Sequence, residues 1–218
     1  MKVKRLPPKV KICGLTSPED ARRAAAAGAW AVGVIFAPES PRCVSLVEAA
    51  KIMAAVPAGV QKVGVFVNAS EGEIAAAVRR CGLTAVQLHG EETPEFCRRI
   101  GGATGAAVIK AVRVSGPESL ECVASFDTEF ILLDTYHPGG RGGTGKQFDW
   151  GLAAALPAAA RREKVIVSGG LDARNVVEAL DAVGPYAVDV SSGVESAPGV
   201  KDPGELERLF DTLREMKK

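Results

Sequence analysis

An excess of charge of either sign is missing from this 218-residue sequence. Twenty-seven lysines and arginines stand against 26 aspartates and glutamates, a formal net charge of +1. That argues against a chain whose main partner is nucleic acid or an anionic membrane, where affinity needs a basic excess. Disorder is excluded as well, because apolar residues reach 47% while net charge stays low. Long apolar runs are missing too. The longest uncharged stretch runs from Ala24 to Pro38. It falls short of the ~20 residues that span a bilayer, contains Gly28 and Gly33, and reads as a helix end, a turn and a strand. Paired cysteines are also absent. Cys13, Cys43, Cys81, Cys97 and Cys122 are odd in number and never form CxxC, which argues against a disulfide framework or a zinc site and suits a reducing cytoplasm. Aromatic residues make up only 5%, against 24 glycines. Many backbone positions are therefore set by something other than packing.

What is present is even punctuation. Short β-branched runs alternate with Ala-, Glu- and Arg-rich stretches of helical character. The candidate strands are 10–13, 31–36, 62–67, 85–89, 107–112, 130–134, 164–168 and 187–191. Their continuous apolar character fits a sheet covered on both faces. Ser17-Pro18-Glu19-Asp20, Thr93-Pro94-Glu95 and Asp202-Pro203-Gly204-Glu205 read as helix starts, with a cap, a proline at the first position and acids in the first turn. Gly28, Gly82 and Gly101 read as helix ends. Eight strand–helix units in a chain near the lower size limit predict an α/β fold, a single (β/α)8 barrel over residues 1–218. The rival is an open doubly wound sheet. The N-terminal stretch carries five basic residues, Lys2, Lys4, Arg5, Lys9 and Lys11. Pro7, Pro8, Lys9 and Lys11 interrupt the apolar stretch a signal peptide needs, so it reads as a solvated tail.

In such a barrel the chemistry sits where strands end. The strand ends here are polar: Cys13, Phe36 with Arg42 beyond it, Asn68, His89, Arg113, Asp134, Ser168 and Asp189. The stretch from Gly140 to Gly145 formally matches GxGxxG. It follows the sixth strand in a long loop, 136–148, rather than opening a helix after the first, so neither a dinucleotide fingerprint nor a P-loop is indicated. Its glycines still let backbone N–H groups converge on an anion. The loops after strands seven and eight, with Gly169, Gly170, Ser192 and Gly193, lie where barrels bind phosphate, and residues 192–195 read as the start of a short extra helix. His89 reads equally as a ligand contact or a hydrogen-bonded rim histidine, and His137 as exposed. Cys43, Cys81, Cys97 and Cys122 read as small buried hydrophobes. Cys13 caps strand one and reads as a partly exposed, tunable thiol. Asp134 emerges after four apolar residues. Facing each other across the mouth, the two could act as base and acid.

Eight motifs in order along the chain, KICGL (11–15), PESPRCVS (38–45), GVFVN (64–68), VQLHGEE (86–92), LLDT (132–135), GGTGKQFDW (142–150), SGGL (168–171) and VDVSSGVESAPGVKD (188–202), closely resemble phosphoribosylanthranilate isomerases. The resemblance implies a cytoplasmic barrel enzyme of tryptophan biosynthesis that uses no cofactor and no metal. It would perform the Amadori rearrangement of N-(5-phosphoribosyl)anthranilate to 1-(2-carboxyphenylamino)-1-deoxyribulose 5-phosphate. It implies Cys13 as general base and Asp134 as general acid. Asp134 would have to hold a proton near neutrality, which burial at an apolar rim can supply. Arg42 would meet the anthranilate carboxylate or ring, and His89 and Asp189 would line the site. Gly143 and Gly145 would cover the substrate, while Gly169, Gly170, Ser192 and Gly193 would hold its phosphate. The implied partner is one small phosphorylated molecule, with no nucleic acid and no membrane, bound by a monomer or homodimer. The sequence begins with its own Met and shows no second fused enzyme. Two alternatives stand beside this reading: a bifunctional sugar-phosphate isomerase that also serves histidine biosynthesis, and a non-catalytic phosphosugar-binding barrel. Cys13 in place of an aspartate, and the lack of a second GG-type loop in the first half, argue against the first.

Overall fold

The structure is a computed structural model that describes residues 9–135 and 164–216. Eight parallel strands close into a barrel in chain order. They are β1 (Lys9–Ile12), β2 (Ala31–Ile35), β3 (Gln61–Phe66), β4 (Ala85–Leu88), β5 (Ala107–Val114), β6 (Phe130–Thr135), β7 (Val165–Ser168) and β8 (Ala187–Val190). The closing pair is β1 with β8, in register Lys11 to Asp189. Closure leaves the barrel sheet without an edge and sets aside the open-sheet rival.

Local chemistry sets the helices. α1 (Pro18–Ala27) begins where Ser17 accepts from the Asp20 N–H, and α4 (Pro94–Thr104) where Thr93 accepts from Phe96. α2 (Leu46–Ala54) and α3 (Glu71–Cys81) open on reciprocal capping boxes, Ser45 with Glu48 and Ser70 with Glu73. α5 (Val176–Val183) and α6 (Pro203–Glu215) follow β7 and β8, with Asp202 capping α6. Gly28 and Gly82 end their helices in the left-handed region. Gly101 does not. α4 runs through it and stops at Gly105, φ 68°, because Ile100 is still a buried anchor and the chain turns only after its last contact. The fifth crossover is a 3-10 segment, Pro117–Ser125. Leu120, Val123 and Phe126 recur every third residue, which matches three residues per turn.

Strand alternation divides the core in two. Val10, Ile12, Val32, Val34, Val86, Leu88, Leu133, Val167, Val188 and Val190 pack outward against the helices. Ala31, Val63, Ala85, Ile109, Ala111, Leu132, Ile166 and Ala187 fill the barrel interior. Trp30, Phe130 and Tyr186 meet edge-on or tilted beneath them, with centroids 4.8 to 5.5 Å apart. The N-terminal end of the barrel is thus apolar and aromatic. Every second residue above the apolar layer is polar: Lys11 and Cys13, Gln87 and His89, Asp134, Ser168 and Asp189. No helix among the described residues is long and apolar enough to cross a membrane.

Candidate active site

The polar layer opens at the C-terminal ends of the strands. Cys13 follows β1 and is held by its backbone. Its N–H donates to Val190 O (2.9 Å), and its carbonyl accepts from Lys201 Nζ (2.6 Å). The side chain is 5% exposed, more enclosed than the partly exposed thiol the sequence suggests. Gly33 and the interior side chains of β1 close around it. Burial holds the thiol above its ordinary value, and the nearby Lys11 ammonium offsets only part of that.

Asp134, on β6, is 28% exposed at its side chain, so its burial is only partial. Its Oδ2 lies 3.1 Å from His89 Nε2, while His89 Nδ1 lies 3.0 Å from Gln87 Nε2. With the Gln87 amide donating to Nδ1, the ring proton sits on Nε2 and is donated to Asp134. The histidine is thus a hydrogen-bonded rim residue that orients the carboxyl. The loop carrying it is pinned from below. Buried Lys110 donates to Leu88 O, Gly90 O and Glu92, and Glu92 accepts from the N–H groups of Asn68 and Gly90.

Arg42 reaches the same end from the loop after β2. Its Nε and Nη2 grip Glu195 at 2.9 and 2.6 Å. The guanidinium is therefore fixed in plane, with Nη1 donating to no described residue. Gly14, φ 74°, makes room for this. A Cβ there would stand 2.5 Å from Arg42 Cδ and 3.0 Å from Ser191 Oγ. Lys201 completes the support, donating to Cys13 O, Ser191 O and Glu195 Oε1. One buried lysine thus ties the end of β1, the loop after β8 and the arginine anchor together.

Opposite lie the two glycine loops. Gly169 and Gly170 adopt φ of 107° and 63°, and Asn175 holds the loop through Gly170 O. Ser192–Val194 is a single 3-10 turn. Glu195 does not extend it but begins a short hairpin, β9 (Glu195–Ala197) with β10 (Val200–Lys201), because its side chain is claimed by Arg42 and Lys201. A Cβ at Gly193 would overlap the Leu171 carbonyl oxygen, so the two loops touch there. The N–H groups of Gly169, Gly170, Ser192 and Gly193 donate to no described residue, an arrangement suited to an anion. Gly143 and Gly145, with loop 136–148 and His137, lie outside the described residues.

Three further expectations change. Asp189 is not on the rim. β8 continues to Val190, and Asp189 alternates inward with Ala187 to meet its register partner Lys11, Nζ to Oδ1 2.9 Å, inside the barrel. Lys11 is accordingly no part of a solvated tail, being 0% exposed. Cys43 and Cys122 are exposed, although Cys81 and Cys97 are buried. Sequence reading also overlooks Gln87, Glu195 and Lys201 as parts of the site. The period of two in Lys9, Lys11 and Cys13, and in Gln87 and His89, was a signal for the interior pair. For Glu195 and Lys201, six residues apart around a hairpin, no local signal exists.

Comparison with known proteins fits this geometry. The family model for N-(5'-phosphoribosyl)anthranilate (PRA) isomerase matches residues 10–212. The N-(5'-phosphoribosyl)anthranilate isomerase of Citrifermentans bemidjiense is 48% identical over 202 residues, 93% of this chain and 95% of that protein. The crystal structure of the phosphoribosyl anthranilate isomerase of Thermotoga maritima superposes with a TM-score of 0.87 at 42% identity, covering 95% of this chain and 99% of that one. A further isomerase, solved in complex with reduced 1-(o-carboxyphenylamino)-1-deoxyribulose 5-phosphate, gives a TM-score of 0.80 at 39% identity over the same shares. With the match running through all eight strands, the chain belongs to the N-(5'-phosphoribosyl)anthranilate isomerase family.

Proposed function

We propose that this chain converts N-(5-phosphoribosyl)anthranilate to 1-(2-carboxyphenylamino)-1-deoxyribulose 5-phosphate through an acid–base pair, Asp134 and Cys13. The observation that carries the reading is the inward placement of both side chains at the C-terminal end of one barrel, on β6 and just past β1. A surface that only bound a phosphosugar would need no such pair. Asp134 donates its proton to the furanose ring oxygen. The ring C–O bond breaks and the C1–N bond becomes an iminium. Cys13, as thiolate, takes the proton from C2, and the C–H electrons form the C1–C2 double bond of an enolamine. The enolamine then tautomerises: C1 gains a proton, the C2 hydroxyl loses one, and the ketone results. His89 holds the Asp134 carboxyl in the orientation the first step needs.

The substrate's two anionic groups have separate partners. Arg42, fixed by Glu195, offers its free edge to the anthranilate carboxylate. The N–H groups of Gly169, Gly170, Ser192 and Gly193 receive the phosphate. A relative bound to a reduced product analogue supports a small phosphorylated ligand here. The surface thiols of Cys43 and Cys122 suit a reducing cytoplasm.

Gly193→Ala, whose Cβ would overlap the Leu171 carbonyl oxygen and push the loop out of place, should raise KM by ~10–100-fold, as if one charge-assisted hydrogen bond to the phosphate were displaced, with kcat falling less. Steady-state kinetics beside a melting curve check this, and an unchanged KM would remove Gly193 from the phosphate site. The reading as a whole is tested by the fluorescence of phosphoribosylanthranilate mixed with the purified protein. The signal should decay enzymatically. A folded sample that leaves it unchanged overturns the proposal and returns the weight to a barrel that only binds its ligand.

A further inference from the structure

We infer that Lys11 is a positioning residue for the base: its ammonium, enclosed in the barrel between Cys13 and Asp189, is the positive charge against which the Cys13 thiolate forms. The inference rests on Cys13 serving as the base in the proposed isomerisation. Lys11 and Cys13 stand two residues apart at the end of β1, so both face the interior. Lys11 Nζ donates to Asp189 Oδ1 at 2.9 Å, and its charge also acts on the Cys13 thiol in the same interior space. Gly33 on β2 leaves the space they share. A Cβ there would sit 3.2 Å from Cys13 Sγ and 3.5 Å from Lys11 Nζ. An ammonium has three N–H donors, and Asp189 is the partner of only part of that capacity.

The other charged groups facing Cys13 weigh less: Lys201 also favours the thiolate, but as a smaller influence than Lys11. Lys201, from β10, spends its three donors on Cys13 O, Ser191 O and Glu195. Arg42, from the loop after β2, is committed to the same Glu195. Asp189, from β8, acts against a thiolate. Burial is the largest influence on Cys13 and pushes the thiol up, and Lys11 is the strongest influence that opposes it. For Lys11, burial works against the charge, but Asp189 and Cys13 more than offset it and hold the lysine above its ordinary value.

This has a kinetic signature. Carboxyls as a class ionise before thiols, so the thiolate–carboxylic acid form is a minor state whose share is constant between the two ionisations. That share falls tenfold for each unit by which the thiol becomes a weaker acid, and the alkaline limb moves up by the same unit. Lys11→Met should therefore raise the alkaline limb of kcat/KM by ~1 unit or more and lower the plateau by the matching ~10-fold or more. A lowered plateau with an unmoved limb is what a purely structural role gives, and it overturns the inference. Lys11→Met/Asp189→Asn, which removes both buried charges, guards against a single variant that fails to fold. Its limb should also move up, since Lys11 outweighs Asp189 at the thiol. The unmodified protein supplies an independent readout. Thiolate absorbance of Cys13, taken as the difference from Cys13→Ala, and the 13Cε shift of Lys11 should share one inflection. Separate inflections overturn the inference whether or not the variants fold. Turnover of phosphoribosylanthranilate is scored apart. Turnover with unlinked titrations removes only the role of Lys11, whereas linked titrations without turnover remove only the reaction.

Discussion

Asp134→Asn should lower kcat by ~10²–10⁴-fold while KM changes far less. The substitution keeps the size and the acceptor. The Asn carbonyl oxygen can still receive the His89 Nε2–H bond now made at 3.1 Å, so the rim keeps its geometry. What is lost is the proton for the ring oxygen. Without it the furanose must open against a poor alkoxide leaving group, and the loss falls on a step made only in the transition state. That is why kcat and kcat/KM should fall together. A drop in affinity with near-normal turnover would instead make Asp134 a binding residue and end its role as acid.

Cys13→Ser should cost at least ~10²-fold in kcat, again with little change in KM. Serine fits the space, and the backbone anchors at Val190 O and Lys201 Nζ involve only main-chain atoms. The hydroxyl, however, is a far weaker acid than the thiol, in a place where burial already disfavours the anion. Lys11 cannot offset that difference. Steady-state kinetics with a melting curve decide the point. A serine variant that melts normally and turns over near the parent rate would show that another group removes the C2 proton.

Much of this was legible in the sequence, for physical reasons. The eight strands lie where short β-branched runs meet turn residues, and Ser17, Thr93 and Asp202 cap the helices their chemistry announces. Cys13 and Asp134 stood out as candidates because polarity rises at strand ends, a rule of the barrel rather than of any one strand, while their roles came from the family resemblance. Lys11 was misread because it was grouped with the basic residues before it. Net charge along a tail is a one-dimensional quantity, whereas the alternation of a strand decides which lysine is buried. Asp189 was placed one layer too high for a related reason, since β8 runs one residue past it. Gly101 looked like a helix end because glycine allows an end without requiring one. The Arg42–Glu195–Lys201 support joins residues 153 apart in one pair and six apart around a hairpin in the other. No periodicity encodes that meeting, which exists only once the barrel closes.

The central claim is that one thiol and one carboxyl at the mouth of the barrel carry the isomerisation. The most direct test is the pH dependence of kcat/KM for phosphoribosylanthranilate, measured from below carboxyl ionisation to above thiol ionisation. The profile should be a bell, with a fall at high pH that disappears in Asp134→Asn, where no acid proton is left to lose, and a fall at low pH that disappears in Cys13→Ser, where no thiolate is left to protonate. A flat profile across that range, with chemistry limiting the rate, would contradict it.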